Sequence, residues 1–125
     1  MIAGIGIDII EVARIKRVCE KNPEFCNKVF SEKEITYCES KADPGLSYAA
    51  RFAAKEAFMK ALGTGWNEEV AWKDIETEIS EAGAPSLTIQ GNTKKALEIR
   101  KIEVVHVSLS HEKEYAVACV VLEKS

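Results

Sequence analysis

The sequence predicts an α+β domain in which helices pack on a mainly antiparallel sheet. Three observations predict it. The chain opens with an apolar segment of period two, Ile2 to Ile9. A long alanine-rich helical segment, Ser47 to Leu62, fills its middle. It closes with two alternating segments, Glu103–Ser110 and Tyr115–Glu123, joined by a tight polar connection at His111–Glu114. A length of 125 residues suits one domain, 1–125, around one core.

The first strand sorts into two faces. Ala3, Ile5, Ile7 and Ile9 point one way; Ile2, Gly4, Gly6 and Asp8 point the other. The whole strand reads as buried. Two glycines on one face imply close approach of another backbone or of a ligand. A helix from Glu11 to Glu20 follows, stopped by Asn22-Pro23. Ser31-Glu32-Lys33-Glu34 is a capping box and starts a second helix that runs to Glu39. Lys41–Gly45 reads as a loop with Asp43-Pro44-Gly45 as its turn.

The Ser47–Leu62 helix ends at Gly63. At about 100° per residue, Ala50, Ala53, Ala54, Ala57, Phe58 and Ala61 share a broad face, and Phe52 and Met59 lie opposite. A helix apolar nearly all round is buried on several sides. Ile75–Ser80 and Ser86–Gln90 form a hairpin about Glu81–Pro85. A short helix runs from Asn92 through Lys101.

Composition narrows the function. The net charge of −3 supplies no basic field for nucleic acid. The longest apolar runs, Ile5–Ile10 and Ala116–Leu122, are too short to cross a bilayer, so no membrane association is expected. Met1 leads straight into a strand pattern without a basic n-region, so the reading expects no secretory signal and a cytoplasmic protein. Cys19, Cys26, Cys38 and Cys119 contain no C-x-x-C spacing, which argues against zinc; reduced thiols are expected.

Several residues can carry chemistry. Glu56 sits mid-helix among alanines, so its carboxylate must be paired, protonated or bound to a cation. Lys60, one turn on, is one partner for it; a metal is another. Asp8 reads as an N-cap, as a second metal ligand, or as both. His111, at the mouth of the last hairpin, reads from the sequence as a polar turn residue. His106 reads as structural. Arg51 and Lys55 are a cationic pair that forms a solvated edge or holds phosphate. Arg14, Arg17 and Lys21 recur at helical spacing as a basic stripe, which the spacing alone reads as a solvated helix face.

The order Gly4-Ile5-Gly6-Ile7-Asp8, then Arg51-Phe52-Ala53-Ala54-Lys55-Glu56-Ala57-Phe58-Met59-Lys60-Ala61, resembles the 4′-phosphopantetheinyl transferase superfamily. Gly63-Thr64-Gly65, the ending His106-Val107-Ser108-Leu109-Ser110-His111 and the short length narrow the likeness to its single-domain trimeric bacterial branch, the holo-acyl-carrier-protein synthases. The resemblance covers nearly the whole chain and implies that superfamily's fold. It implies transfer of 4′-phosphopantetheine from coenzyme A to a serine of apo-acyl carrier protein, with adenosine 3′,5′-bisphosphate released. It also implies Mg²⁺ dependence, a role in fatty acid biosynthesis, and a homotrimer with sites between subunits.

By the same resemblance, Asp8 and Glu56 bind Mg²⁺ and Lys60 lies at the pyrophosphate, so these three carry catalysis, while Glu11 supports the metal. Arg51, Lys55, Lys60, Gly83-Ala84-Pro85 and His111 line the coenzyme A site. Arg14 and Phe25 contact the carrier protein, with Arg17 and Lys21 completing the stripe. Lys21 stands where an arginine is frequent, keeping charge but losing the planar fork. Arg17 has no firm counterpart, and Glu68–Asp74 departs from the pattern. Two other readings stand beside this one: another Mg²⁺ enzyme, such as a nucleotide pyrophosphohydrolase, and a non-enzymatic binding domain.

Overall fold

The computed structural model describes residues 1–64 and 70–125; Gly65 of the glycine motif and Glu68 lie outside them. Strand β1 (Ile2–Glu11) leads into α1 (Val12–Lys21), α2 (Pro23–Val29), α3 (Glu32–Glu39) and the long α4 (Pro44–Leu62). A 3₁₀ turn at Trp72–Asp74 precedes β2 (Ile75–Ile79) and β3 (Pro85–Ile89). Helix α5 (Gly91–Ile99) and strands β4 (Ile102–His111) and β5 (Tyr115–Lys124) complete the order.

The sheet is antiparallel in the order β1-β5-β4, and β2-β3 is a separate antiparallel hairpin. In that register Asp8 stands opposite Ala118. Helix α4 lies across β1 and β5, and Ala53, Ala54, Ala57 and Phe58 are fully buried against them. A Cβ on Gly4 would collide with the Ala61 carbonyl, and one on Gly6 with the Ala57 carbonyl. The bare face of β1 is therefore bare so that the backbone of α4 can lie on it. This contact fixes where Asp8 and Glu56 stand.

Helix signals held where capping chemistry was explicit. Ser31 and Glu34 make both bonds of the capping box. Gly63 closes α4 in the left-handed conformation, φ 81°. Other boundaries moved. The Asp43 side chain caps α4, accepting from the Leu46 N–H at 3.3 Å, and Pro44 occupies the first turn, so Asp43-Pro44-Gly45 begins a helix where a free turn was expected. Pro23 likewise starts α2, an element missed because a proline that stops one helix can open the next.

Two further expectations are corrected. Cys19 and Cys26 are disulfide-bonded, with Cα atoms 5.7 Å apart, and only Cys38 and Cys119 remain free. The turn at Asn22-Pro23 folds α2 back on α1 and brings positions seven apart within disulfide reach. Strand β1 is buried on one face only. Ile5, Ile7 and Ile9 are 61–62% exposed in the single chain. Among the described residues, no helix is long and apolar enough to cross a membrane.

Candidate active site

Asp8 lies within β1, and the N-cap of α1 is Glu11, which makes no side-chain cap; the capping role for Asp8 is set aside. Its carboxylate faces α4. Lys60 reaches it from the helix, Nζ to Oδ1 2.9 Å, and also donates to the Ile7 carbonyl at 3.1 Å. The cationic partner first considered for Glu56 is thus bonded to Asp8. Burial raises the Glu56 pKa, and the negative charge of Asp8 raises it further, while Lys60 opposes both. The two carboxylates share one electrostatic site.

The arrangement fits a hard divalent cation. Asp8 Oδ2 is buried and has no hydrogen-bond partner among the described residues. A buried oxygen without a protein partner, beside a second carboxylate of raised pKa, makes a donor pair that a divalent cation would fit. Two carboxylates, completed by water and phosphate oxygens, suit Mg²⁺. No cluster of three or more His, Cys, Asp or Glu occurs among the described residues, so water and phosphate oxygens would supply most of the shell of an ion held here.

A cleft of about 360 Å³ opens on another side of α4. It brings together Arg51, Gly83, Pro85 and His111, all singled out from sequence, with Tyr37, Ser47 and Leu109. Arg51 is 4% exposed, and its guanidinium lies over the Tyr37 ring at 4.1 Å. Its Nη1 donates to the Ser47 carbonyl at 3.4 Å, while the buried Nε has no partner among the described residues. Gly83, at φ 88°, makes the hairpin turn that brings Pro85 to the cleft. Asp8, Glu56 and Lys60 do not line it. A larger groove, about 610 Å³, lies between α1 and the start of α4 and contains none of the predicted site residues.

Residues 4–120 match the sequence profile of the 4′-phosphopantetheinyl transferase superfamily. The chain belongs to that superfamily. A holo-[acyl-carrier-protein] synthase of Halothermothrix orenii is 46% identical over 125 residues, 99% of either chain. Among solved structures, the holo-[acyl-carrier-protein] synthase of Neisseria meningitidis matches at TM-score 0.92 and 36% identity, covering 99% of this chain and 100% of that one. The Bacillus anthracis synthase, solved in complex with CoA (3′,5′-ADP), matches at 0.84 and 41%, covering 100% and 99%.

Within this transferase-superfamily fold, Lys55 departs from its sequence reading. It is fully buried, and its ammonium donates to Glu34 Oε1 at 2.8 Å, to the Trp72 carbonyl at 2.9 Å and to the Ile75 carbonyl. All three N–H bonds are used, so it is neither a solvated edge nor a phosphate ligand. Arg14, Arg17 and Lys21 are exposed on α1, and Arg17 lies 3.9 Å from Glu11. Phe25 is half-buried against Phe52, ring centroids 5.9 Å apart, and Phe52 stacks on Trp72. His106 pairs with Glu123 at 2.8 Å. Sequence reasoning missed Tyr37, for which no signal existed, and the partner of Lys55. Glu34 was visible only as a capping residue.

Proposed function

We propose that this chain transfers the 4′-phosphopantetheine of coenzyme A to a serine of an apo-acyl carrier protein, as a Mg²⁺-dependent homotrimer serving fatty acid biosynthesis in the cytoplasm. One observation carries the reading: the unpartnered Asp8 Oδ2 beside Glu56 and Lys60. The scissile bond lies in a pyrophosphate, whose oxygens repel a nucleophile. When bound, Mg²⁺ supplies positive charge against those oxygens. Asp8 and Glu56 would hold the ion. Lys60 is half exposed, so its ammonium can leave Asp8 for the oxygen of the departing 3′,5′-bisphosphate.

Arg51 and His111 would receive phosphates in the cleft, with Gly83 and Pro85 as its wall. The metal pair and the cleft stand apart on one chain, and a neighbouring subunit joins them. Support comes from the open face of the sheet. Ile5, Ile7 and Ile9 pair in register with Val121, Cys119 and Val117 and share their face, forming an uncovered apolar surface. Covering it yields about 1–2 kcal/mol for each of these partly exposed isoleucines, and a closed cyclic assembly does so without leaving an open edge. Relatives named holo-[acyl-carrier-protein] synthase, and a neighbour solved with CoA, agree with this substrate pair.

The exposed Arg14, Arg17 and Lys21 of α1, together with Phe25 of α2, would dock the acidic carrier. Incubation with coenzyme A labelled in its pantetheine portion tests the proposal. Label covalently on the carrier is expected. Cleavage of coenzyme A without a carrier would instead make the chain a pyrophosphohydrolase.

A further inference from the structure

Four charged side chains are buried between α3, α4 and β2: Glu34 at 1%, Arg51 at 4%, Lys55 at 0% and Glu76 at 7% exposure. Two cations and two anions cancel. Only Arg51 has a use in the proposed chemistry. The Glu34–Lys55 pair is fully buried, and an apolar pair of equal volume would often be as stable or more so. Stability alone therefore gives no reason for it. Directed bonds do.

Glu34 touches three elements. Its Oε1 accepts from the Ser31 N–H at 3.1 Å, at the start of α3, and from Lys55 of α4 at 2.8 Å. Its Oε2 accepts from the Thr77 N–H of β2 at 3.2 Å. Lys55 extends the network to the carbonyls of Trp72 and Ile75. These three elements also carry the walls of the cleft. Tyr37 is one turn after Glu34, Arg51 one turn before Lys55, and Ile79 two residues after Thr77, with Gly83 and Pro85 beyond it. The stack of Arg51 on Tyr37 joins α4 to α3 again, at the cleft itself.

We infer that Glu34 is a positioning residue for the coenzyme A cleft, setting the distance between the Tyr37–Arg51 wall and the β2–β3 hairpin. The inference rests on the reading of that cleft as the coenzyme A site. Glutamine at position 34 keeps the shape. It cannot accept at both ends, so it loses either the bond to Thr77 or the bonds to Ser31 and Lys55, and it leaves Lys55 without the carboxylate it pairs with.

The test compares wild type, Glu34→Gln and the double variant Glu34→Gln/Lys55→Met. Coenzyme A affinity is read by calorimetry, KM for each substrate by transfer, and Tm by thermal unfolding. Glu34→Gln should raise Kd and KM for coenzyme A about tenfold and leave KM for the carrier within about twofold. The double variant, which removes the stranded cation, should regain Tm without regaining affinity. Unchanged coenzyme A affinity in Glu34→Gln overturns the inference, as does affinity that returns together with Tm. Should Glu34→Gln not fold, wild-type affinity in the double variant overturns it alone. A wild-type protein that neither binds coenzyme A nor modifies a carrier overturns the functional reading itself, and the inference with it.

Discussion

Asp8 Oδ1 is held 2.9 Å from Lys60 Nζ while the buried Asp8 Oδ2 meets no partner among the described residues. An unsatisfied buried oxygen costs about 1–3 kcal/mol, and the nearby Glu56 carboxylate adds repulsion. A cation between the two acids relieves both. Mg²⁺ should therefore stabilise the protein without any substrate. At about 100 times its Kd the gain is about 2.7 kcal/mol, a rise of several degrees in Tm. Thermal unfolding with and without Mg²⁺ checks this. The rise should vanish in Asp8→Asn; a rise of equal size there would place the ion elsewhere.

Docking is predicted at α1. Reversing one exposed charge of the basic stripe, Arg14→Glu, should raise KM for the carrier about tenfold or more and weaken its dependence on salt. KM for coenzyme A should stay near wild type, because Arg14 does not line the cleft. Steady-state kinetics with each substrate varied in turn separates the two, and an unaltered carrier KM would remove α1 as the docking face.

Assembly is predicted at the open sheet face. Ile7 is 61% exposed at the centre of the isoleucine row, so Ile7→Lys should leave the monomer folded while placing charge in the contact between subunits. Sedimentation should then report a single chain in place of three. Transfer should fall with it, because the cleft and the metal pair no longer meet.

How much of this was legible in the sequence depended on whether a signal was local. The capping box at Ser31 and Glu34, the terminator at Gly63 and the glycine face of β1 each announce themselves over a few residues, and each was found. Asp8, Glu56 and Lys60 were named from pattern and meet across 52 residues of sequence, a pairing that periodicity alone does not give. Lys55 was misread because a lysine beside Arg51 looks like solvent-facing charge; its true partner, Glu34, is 21 residues away on another helix. The Cys19–Cys26 bond escaped because it depends on how Pro23 folds α2 back. The exposure of Ile5, Ile7 and Ile9 was hidden for a related reason: an apolar row reads as core whether the same chain or a neighbour covers it.

Alkaline stability is predicted from two buried acids. Burial pushes the Cys38 thiol up to about 12, and burial together with the bond to Glu39 pushes the Tyr48 hydroxyl well above its ordinary range. Both groups keep their protons in the folded chain at a pH where the unfolded chain has lost them. The folded state then binds more protons at these two groups, so their contribution to stability is constant below pH 9 and falls as pH rises from about 9 towards 12. Chemical unfolding across that range should show the decline, and Cys38→Ala should make it shallower. At pH 8 iodoacetamide should spare Cys38 in the native protein.

The central claim is that Asp8 and Glu56 would hold a Mg²⁺ ion that supports transfer of phosphopantetheine to a carrier serine. Intact mass of an apo-acyl carrier protein after incubation with the enzyme, coenzyme A and Mg²⁺ tests it most directly. The account predicts a gain of one phosphopantetheine group with Mg²⁺, none with a chelator present, and a rate at least about 100-fold lower for Glu56→Gln. An unmodified carrier in the complete reaction, or equal modification with the metal chelated, would contradict it.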